Sequence, residues 1–284
     1  MSLGEANVRT SLIRCAMVVC SLAAPALALA QGSQPSVSGA VFVFVSPATT
    51  HLDAQAITAP MQGATGKSTY ENDAWYLGAA AYAHFPHRLG VDAAILGGTS
   101  KTIDPQVANG YVGMNPLTHE RVLLWDASAT YTLCAGRRCG IVDLMVGMLT
   151  LRADPGPLTV PTNPAVGNFT PFVIDNPATR YSGLAIGVKG YYPLRPNIGI
   201  DYKVQYLPSY SVHGHYAEAG DNTLSPKDVI RYRFGANYYL NRRAGLTVGY
   251  QGIRLNAEMA QGASVGEKAI VTNRGFYFGG SVNY

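Results

Sequence analysis

His213 and His215 stand one residue apart with Glu218 and Asp221 close behind, a grouping that could ligate a metal or move a proton. A metal site needs a third ligand at a defined spacing, and this stretch supplies none, so it predicts a polar loop without metal or cofactor. Asp73 and Asp175 fall with His213, His215 and Asp221 near predicted strand tops. No nucleophile–base pair stands out among them, and no catalytic residue is expected. Gly63-Ala64-Thr65-Gly66-Lys67-Ser68-Thr69 imitates a phosphate loop, but the first glycine that the motif requires is Met61 here, and no strand-then-helix pattern surrounds it. Asn168-Phe169-Thr170 has the form of a glycosylation sequon and is read as loop.

Cysteine usage points to an oxidising compartment. Cys15 and Cys20 fall in an apolar run from Cys15 to Ala30, broken only by Ser21, preceded by Arg9 and Arg14 and ending in Ala28-Leu29-Ala30. Such a run reads as a signal peptide over residues 1–30, with residues 31–284 as the exported chain. Cys134 and Cys139 then remain, in Cys134-Ala135-Gly136-Arg137-Arg138-Cys139. An even pair flanking a tight turn in an exported chain predicts a disulfide.

Only 13% of the 284 residues are charged, about half the usual share in globular proteins. With a mean hydropathy of +0.07, that depletion excludes a bundle of membrane helices, which would need runs of about 18 apolar residues each. The many aromatics exclude a disordered chain. A net charge of +4 without a basic cluster does not suggest nucleic acid, and none is expected as a partner.

Alternation of apolar with small or polar residues explains such averages. In residues 198–207, Ile198, Ile200, Tyr202, Val204 and Tyr206 share one face, against Gly199, Asp201, Lys203, Gln205 and Leu207. The same pattern recurs over 73–85, 88–99, 121–133, 141–151, 181–192, 229–240 and 245–255. The stretch 37–46 is apolar on both faces, so its inward side is open. About ten strands result, joined alternately by four short turns and five long loops at about 47–72, 100–118, 154–178, 208–227 and 256–272. The fold class is all-β: an antiparallel up-and-down transmembrane β-barrel forming a single domain after the signal peptide. Apolar faces turn outward and small or polar faces inward, the reverse of a water-soluble barrel. Trp75, Trp125, Tyr192, Tyr206, Tyr238 and Tyr250 share the outward parity and read as interfacial girdles.

Eight charged residues share the inward parity: Asp92, Asp126, Asp143 and Asp201 with Lys189, Lys203, Arg231 and Arg233. Acids dominate the third to fifth strands and bases the sixth to eighth, so a lumen charge network closing the interior is expected.

The chain ends Arg274-Gly275-Phe276-Tyr277-Phe278-Gly279-Gly280-Ser281-Val282-Asn283-Tyr284. Phe276, Phe278, Gly280, Val282 and Tyr284 share one face of this strand. The pattern resembles the terminal strand of bacterial outer-membrane β-barrels. That resemblance implies that Phe276, Phe278 and Tyr284 form the signal read by the barrel-insertion machinery, and that the chain resides in the outer membrane. The ten-strand size also resembles the omptin surface proteases, but no residue matches an omptin motif, so no role carries over. The expected function is envelope structure or surface recognition through long extracellular loops, without enzymatic activity. A small diffusion channel and an omptin-type surface hydrolase are the alternatives. Expected partners are outer-membrane lipid, the insertion machinery and an unidentified extracellular ligand, and the chain is expected to be a monomer.

Overall fold

A computed structural model describes residues 38–55, 67–100, 104–107, 121–136, 138–154, 158–160, 172–174, 179–213, 224–259 and 268–283. Residues 1–30, expected from the sequence to be a signal peptide, and Tyr284 lie outside the described residues. The strands in chain order are β1 (Ser38–Gln55), β2 (Lys67–His84), β3 (Leu89–Ser100), β4 (Asp104–Val107), β5 (Arg121–Gly136), β6 (Gly140–Asp154) and β7 (Leu158–Val160). They continue with β8 (Phe172–Ile174), β9 (Thr179–Arg195), β10 (Ile198–Leu207), β11 (Ser211–His213), β12 (Leu224–Tyr239), β13 (Ala244–Met259) and β14 (Lys268–Asn283).

Ten of them close a single antiparallel barrel in the order β1-β14-β13-β12-β10-β9-β6-β5-β3-β2, and β2 pairs back onto β1. Closure leaves no free edge, which is what lets a sheet cross a hydrocarbon layer. β4 pairs with β2 and β11 with β9, so each continues the wall beyond a break, while β7 and β8 form a separate two-stranded sheet. One end of the barrel carries the short turns after β2, β5, β9 and β12; the other carries the long connections.

The parity is that of a membrane barrel. On β14, Phe276 is 64% exposed and Phe278 48%, while Tyr277 between them is 0% exposed. Leu144, Ile186, Val248 and other large apolar side chains are likewise exposed around the outer wall. So broad an apolar surface fits lipid and not water. On β1 the inward residues are Phe42, Phe44 and Ser46; Phe44 and Ser46 are fully buried while Val43 is exposed.

Several boundaries differ from the sequence expectation. β1 and β2 each run 18 residues and β12, β13 and β14 each run 16, so the long connections begin later than the pattern predicted. At about 3.4 Å per residue, such strands exceed an apolar band about 25 Å tall, and their loop ends project beyond it. There both faces meet water and apolar alternation stops, although the ladder continues. The 154–178 segment contributes β7 and β8 between its prolines. β9 runs through Pro193 to Arg195, leaving Pro196-Asn197 as the turn.

The lumen has three levels. A cavity of about 730 Å³ opens at the turn end, with Phe42, Tyr82 and Tyr239 among its lining residues. An ionic layer lies beneath it. On the loop side of that layer the interior is apolar, with Leu96, Leu124, Leu149, Leu207, Val229 and Ile253 all buried in one cluster. A lumen uniformly small or polar was expected; its loop half is instead a hydrocarbon plug.

Candidate functional site

The ionic layer is built from residues that strand parity aims inward at similar heights. Register places Lys189 directly opposite Lys203, and Lys203 directly opposite Arg233. Like charges side by side on one wall repel. Their counter-charges come from across the lumen. Lys203, on β10, bonds to Asp92, on β3, and donates to Asp126 Oδ1, on β5, at 2.6 Å. Arg231, on β12, bonds to Asp126 and reaches Gln205 Oε1 at 3.3 Å. β3 and β10, like β5 and β12, stand four strands apart around the ring, so these bonds act as struts across the interior.

A second arm runs toward the turn end. Lys189 Nζ donates to Asp92 Oδ2 at 3.1 Å and lies 3.8 Å from Asp143 Oδ2. His84 Nε2 donates to the same Asp143 oxygen at 2.9 Å, and Thr132 Oγ1 to the other at 2.7 Å. Asp201 stands apart from this chain: Arg233 Nε lies 3.6 Å from its Oδ2, and Asn237 Nδ2 donates to its Oδ1 at 2.7 Å. Thr247 Oγ1 in turn donates to Asn237 Oδ1 at 2.5 Å.

The structure therefore brings together Asp92, Asp126, Asp143, Lys189, Lys203 and Arg231, and sets Asp201 with Arg233 as a neighbouring pair. Sequence reasoning missed His84, Thr132, Gln205, Asn237 and Thr247. Their inward parity was readable, but which of them meets a charge depends on the stagger between strands. Asp92, Asp126, Asp143 and Lys203 are all buried, so each charge must be met by an opposite one. Every carboxylate in the layer is engaged by a cation or a donor. That arrangement suits bracing.

Cys134 and Cys139 form a disulfide across the turn between β5 and β6, with Cα atoms 6.3 Å apart. Asp73 faces outward and accepts a hydrogen bond from Thr49 Oγ1 at 2.7 Å, so it does not line the lumen. His213 lies on β11, its backbone paired with Arg180. Asp175, His215, Glu218 and Asp221 lie outside the described residues. So do Gly63 to Gly66 and the sequon at Asn168; Lys67 to Thr69 begin β2, so the phosphate-loop imitation runs into a strand and not a helix. Among the described residues no group of His, Cys, Asp or Glu could hold a metal ion.

No protein-family model matches the chain, and no curated protein matches its sequence. Solved structures do. The outer membrane protease OmpT from Escherichia coli is similar at a TM-score of 0.53 and 11% identity, over 87% of this chain and 96% of that one. The translocator domain of the autotransporter NalP from Neisseria meningitidis is similar at a TM-score of 0.36 and 10% identity, over 97% of this chain and 96% of that one. At such identities the likeness to the protease is one of fold alone: the chain is a closed antiparallel barrel of the bacterial outer-membrane type.

Proposed function

We propose that the chain is a non-conducting, monomeric outer-membrane barrel that serves envelope structure or surface recognition through the hairpins at its loop end. The observation that carries this reading is the stacking of two seals in one lumen. Struts of buried charge cross the interior, and a hydrocarbon layer lies on their loop side. A selective pore would more naturally show one sign of charge along an open wall. A rigid, filled barrel is a suitable base for strands that project beyond the membrane. Partners in this reading are outer-membrane lipid, the insertion machinery meeting Phe276 and Phe278, and a ligand at the loop end.

No catalytic role belongs to the reading. The layer's carboxylates are occupied, and Asp73 looks away from the lumen. Planar-bilayer recording on the purified barrel tests the proposal: no conductance is expected. Steady, ion-selective openings would overturn it in favour of a small diffusion channel. Peptide hydrolysis that disappears on His213→Ala would overturn it in favour of a surface hydrolase.

A further inference from the structure

The four turns carry a charge pattern that the ionic layer does not explain. Arg88 ends the first turn, Arg138 lies in the second, Arg195 opens the third, and Arg242 and Arg243 lie in the fourth. All five are exposed. None of their guanidinium groups makes an ion pair among the described residues, and no Asp or Glu occupies any of the four turns. The acids of the described barrel sit in the ionic layer or toward the loop end. Among the described residues the turn end is therefore a ring of positive charge without an acidic partner.

Its height relative to the membrane is fixed by its neighbours. Leu89, beside Arg88, is 54% exposed; Leu194, beside Arg195, is 54% exposed; Leu240, two residues before Arg242, is 60% exposed. Apolar side chains this open belong in hydrocarbon, so the arginines next to them stand where hydrocarbon gives way to headgroups. From there a guanidinium can lay its stem along the apolar wall and hold its charged head at phosphate level. The first turn holds His87 and Arg88 at φ 63° and 67°, a backbone region that glycine or asparagine enters at lower cost. A long basic side chain is kept there all the same.

We propose that these arginines form a collar that binds the phosphate groups of anionic phospholipids in the leaflet at the turn end. Guanidinium matches a phosphate with two parallel hydrogen bonds. A ring spread over all four turns matches many small headgroups around a circumference better than one compact ligand. The collar goes beyond the functional reading above and rests only on the barrel's place in a membrane.

The test uses the purified barrel in bilayers of phosphatidylethanolamine with a minor share of phosphatidylglycerol. After extraction in mild detergent, native mass spectrometry counts the lipids retained. Phosphatidylglycerol should be enriched over its bulk share by about fivefold, the ratio expected of one near-surface arginine per lipid. The enrichment should fall in high salt. It should vanish when Arg88, Arg138, Arg195, Arg242 and Arg243 are all changed to Gln, and weaken without vanishing when all five are changed to Lys, which keeps the charge and loses the paired hydrogen bonds. Heat-modifiable migration in gels reports separately whether each variant is a folded barrel. Should the fivefold Gln variant not fold, Arg88→Gln with Arg195→Gln takes its place, with partial loss expected. Equal enrichment in the wild type and a folded Gln variant would overturn the collar. So would charge-dependent binding to purified peptidoglycan without phosphatidylglycerol enrichment, which would assign the ring to the cell wall.

Discussion

Tyr277 occupies the space that a side chain on Gly249 would need: its Cζ and Cε1 stand 2.5 and 2.6 Å from where a Cβ would be. The ring lies flat against the neighbouring strand because that strand offers no side chain there. Phe44 sits over Gly78 in the same way on the opposite side of β14, and the Phe44 and Tyr277 rings meet edge to face at 5.5 Å. Gly249→Ala should therefore cost about 1–3 kcal/mol by overpacking, read as a lower urea midpoint for loss of the heat-modifiable folded form. Tyr277→Phe should change stability by less than about 1 kcal/mol, because the buried hydroxyl that it removes has no hydrogen-bond partner.

Much of this was legible in residue order because a membrane barrel writes its two faces in alternate residues. Phe276 and Tyr277 differ in exposure as parity predicts, and the inward charges from Asp92 to Arg233 all share the inward parity. The inward face of β1 was not legible, since Val41, Val43, Phe42 and Phe44 are apolar on both sides. Nor were the full lengths of β1 and β2, whose loop ends carry polar residues on both faces beyond the lipid. The plug was written as inward leucines at Leu96, Leu124, Leu149 and Leu207, one per strand. Only the stagger between strands shows that they converge at one level. The same stagger decides that His84 meets Asp143.

Lys203 is shared between Asp92 and Asp126, so removing it strands two buried carboxylates. Lys203→Met should cost about 3–5 kcal/mol, the range for breaking a buried ion pair from one side. Adding Asp92→Asn restores equal numbers of acids and bases in the layer and should recover part of that loss. Urea titrations of the two single variants and the double variant would show the coupling. Simple additivity would mean that the strut carries no specific energy.

The two faces of the wall should respond differently to charge, but the lumen is not uniformly tolerant. Ile186 is an exposed, lipid-facing residue, and Ile186→Arg should cost about 2–4 kcal/mol near the midplane. Gln205 faces inward but is 1% exposed and already accepts from Arg231, so Gln205→Arg sets two cations together and should also destabilise. Ala80 lines the open cavity at the turn end, where a long side chain can reach water, and Ala80→Lys should be nearly neutral. Folded yields after refolding into lipid vesicles would rank the three. A severe loss at Ala80 would refute the cavity's access to water.

Conductance should depend on the plug more than on the struts. Water enters from the turn end through the cavity and meets the ionic layer first. In Arg231→Ala with Arg233→Ala, Asp126 and Asp201 lose cations and the layer hydrates, yet Leu149, Leu207 and Val229 beyond it remain packed. A hydrocarbon constriction excludes ions by staying dry. This pair of substitutions should therefore leave planar bilayers silent. Leu149→Ala with Leu207→Ala removes two of the largest fully buried side chains, but the struts still cross the lumen and only small, rare openings should appear. Combining all four substitutions removes both seals, and frequent ohmic openings should follow in barrels that still show heat-modifiable migration. Openings as frequent in the arginine variant alone would place the seal in the charged layer and leave the leucines as packing.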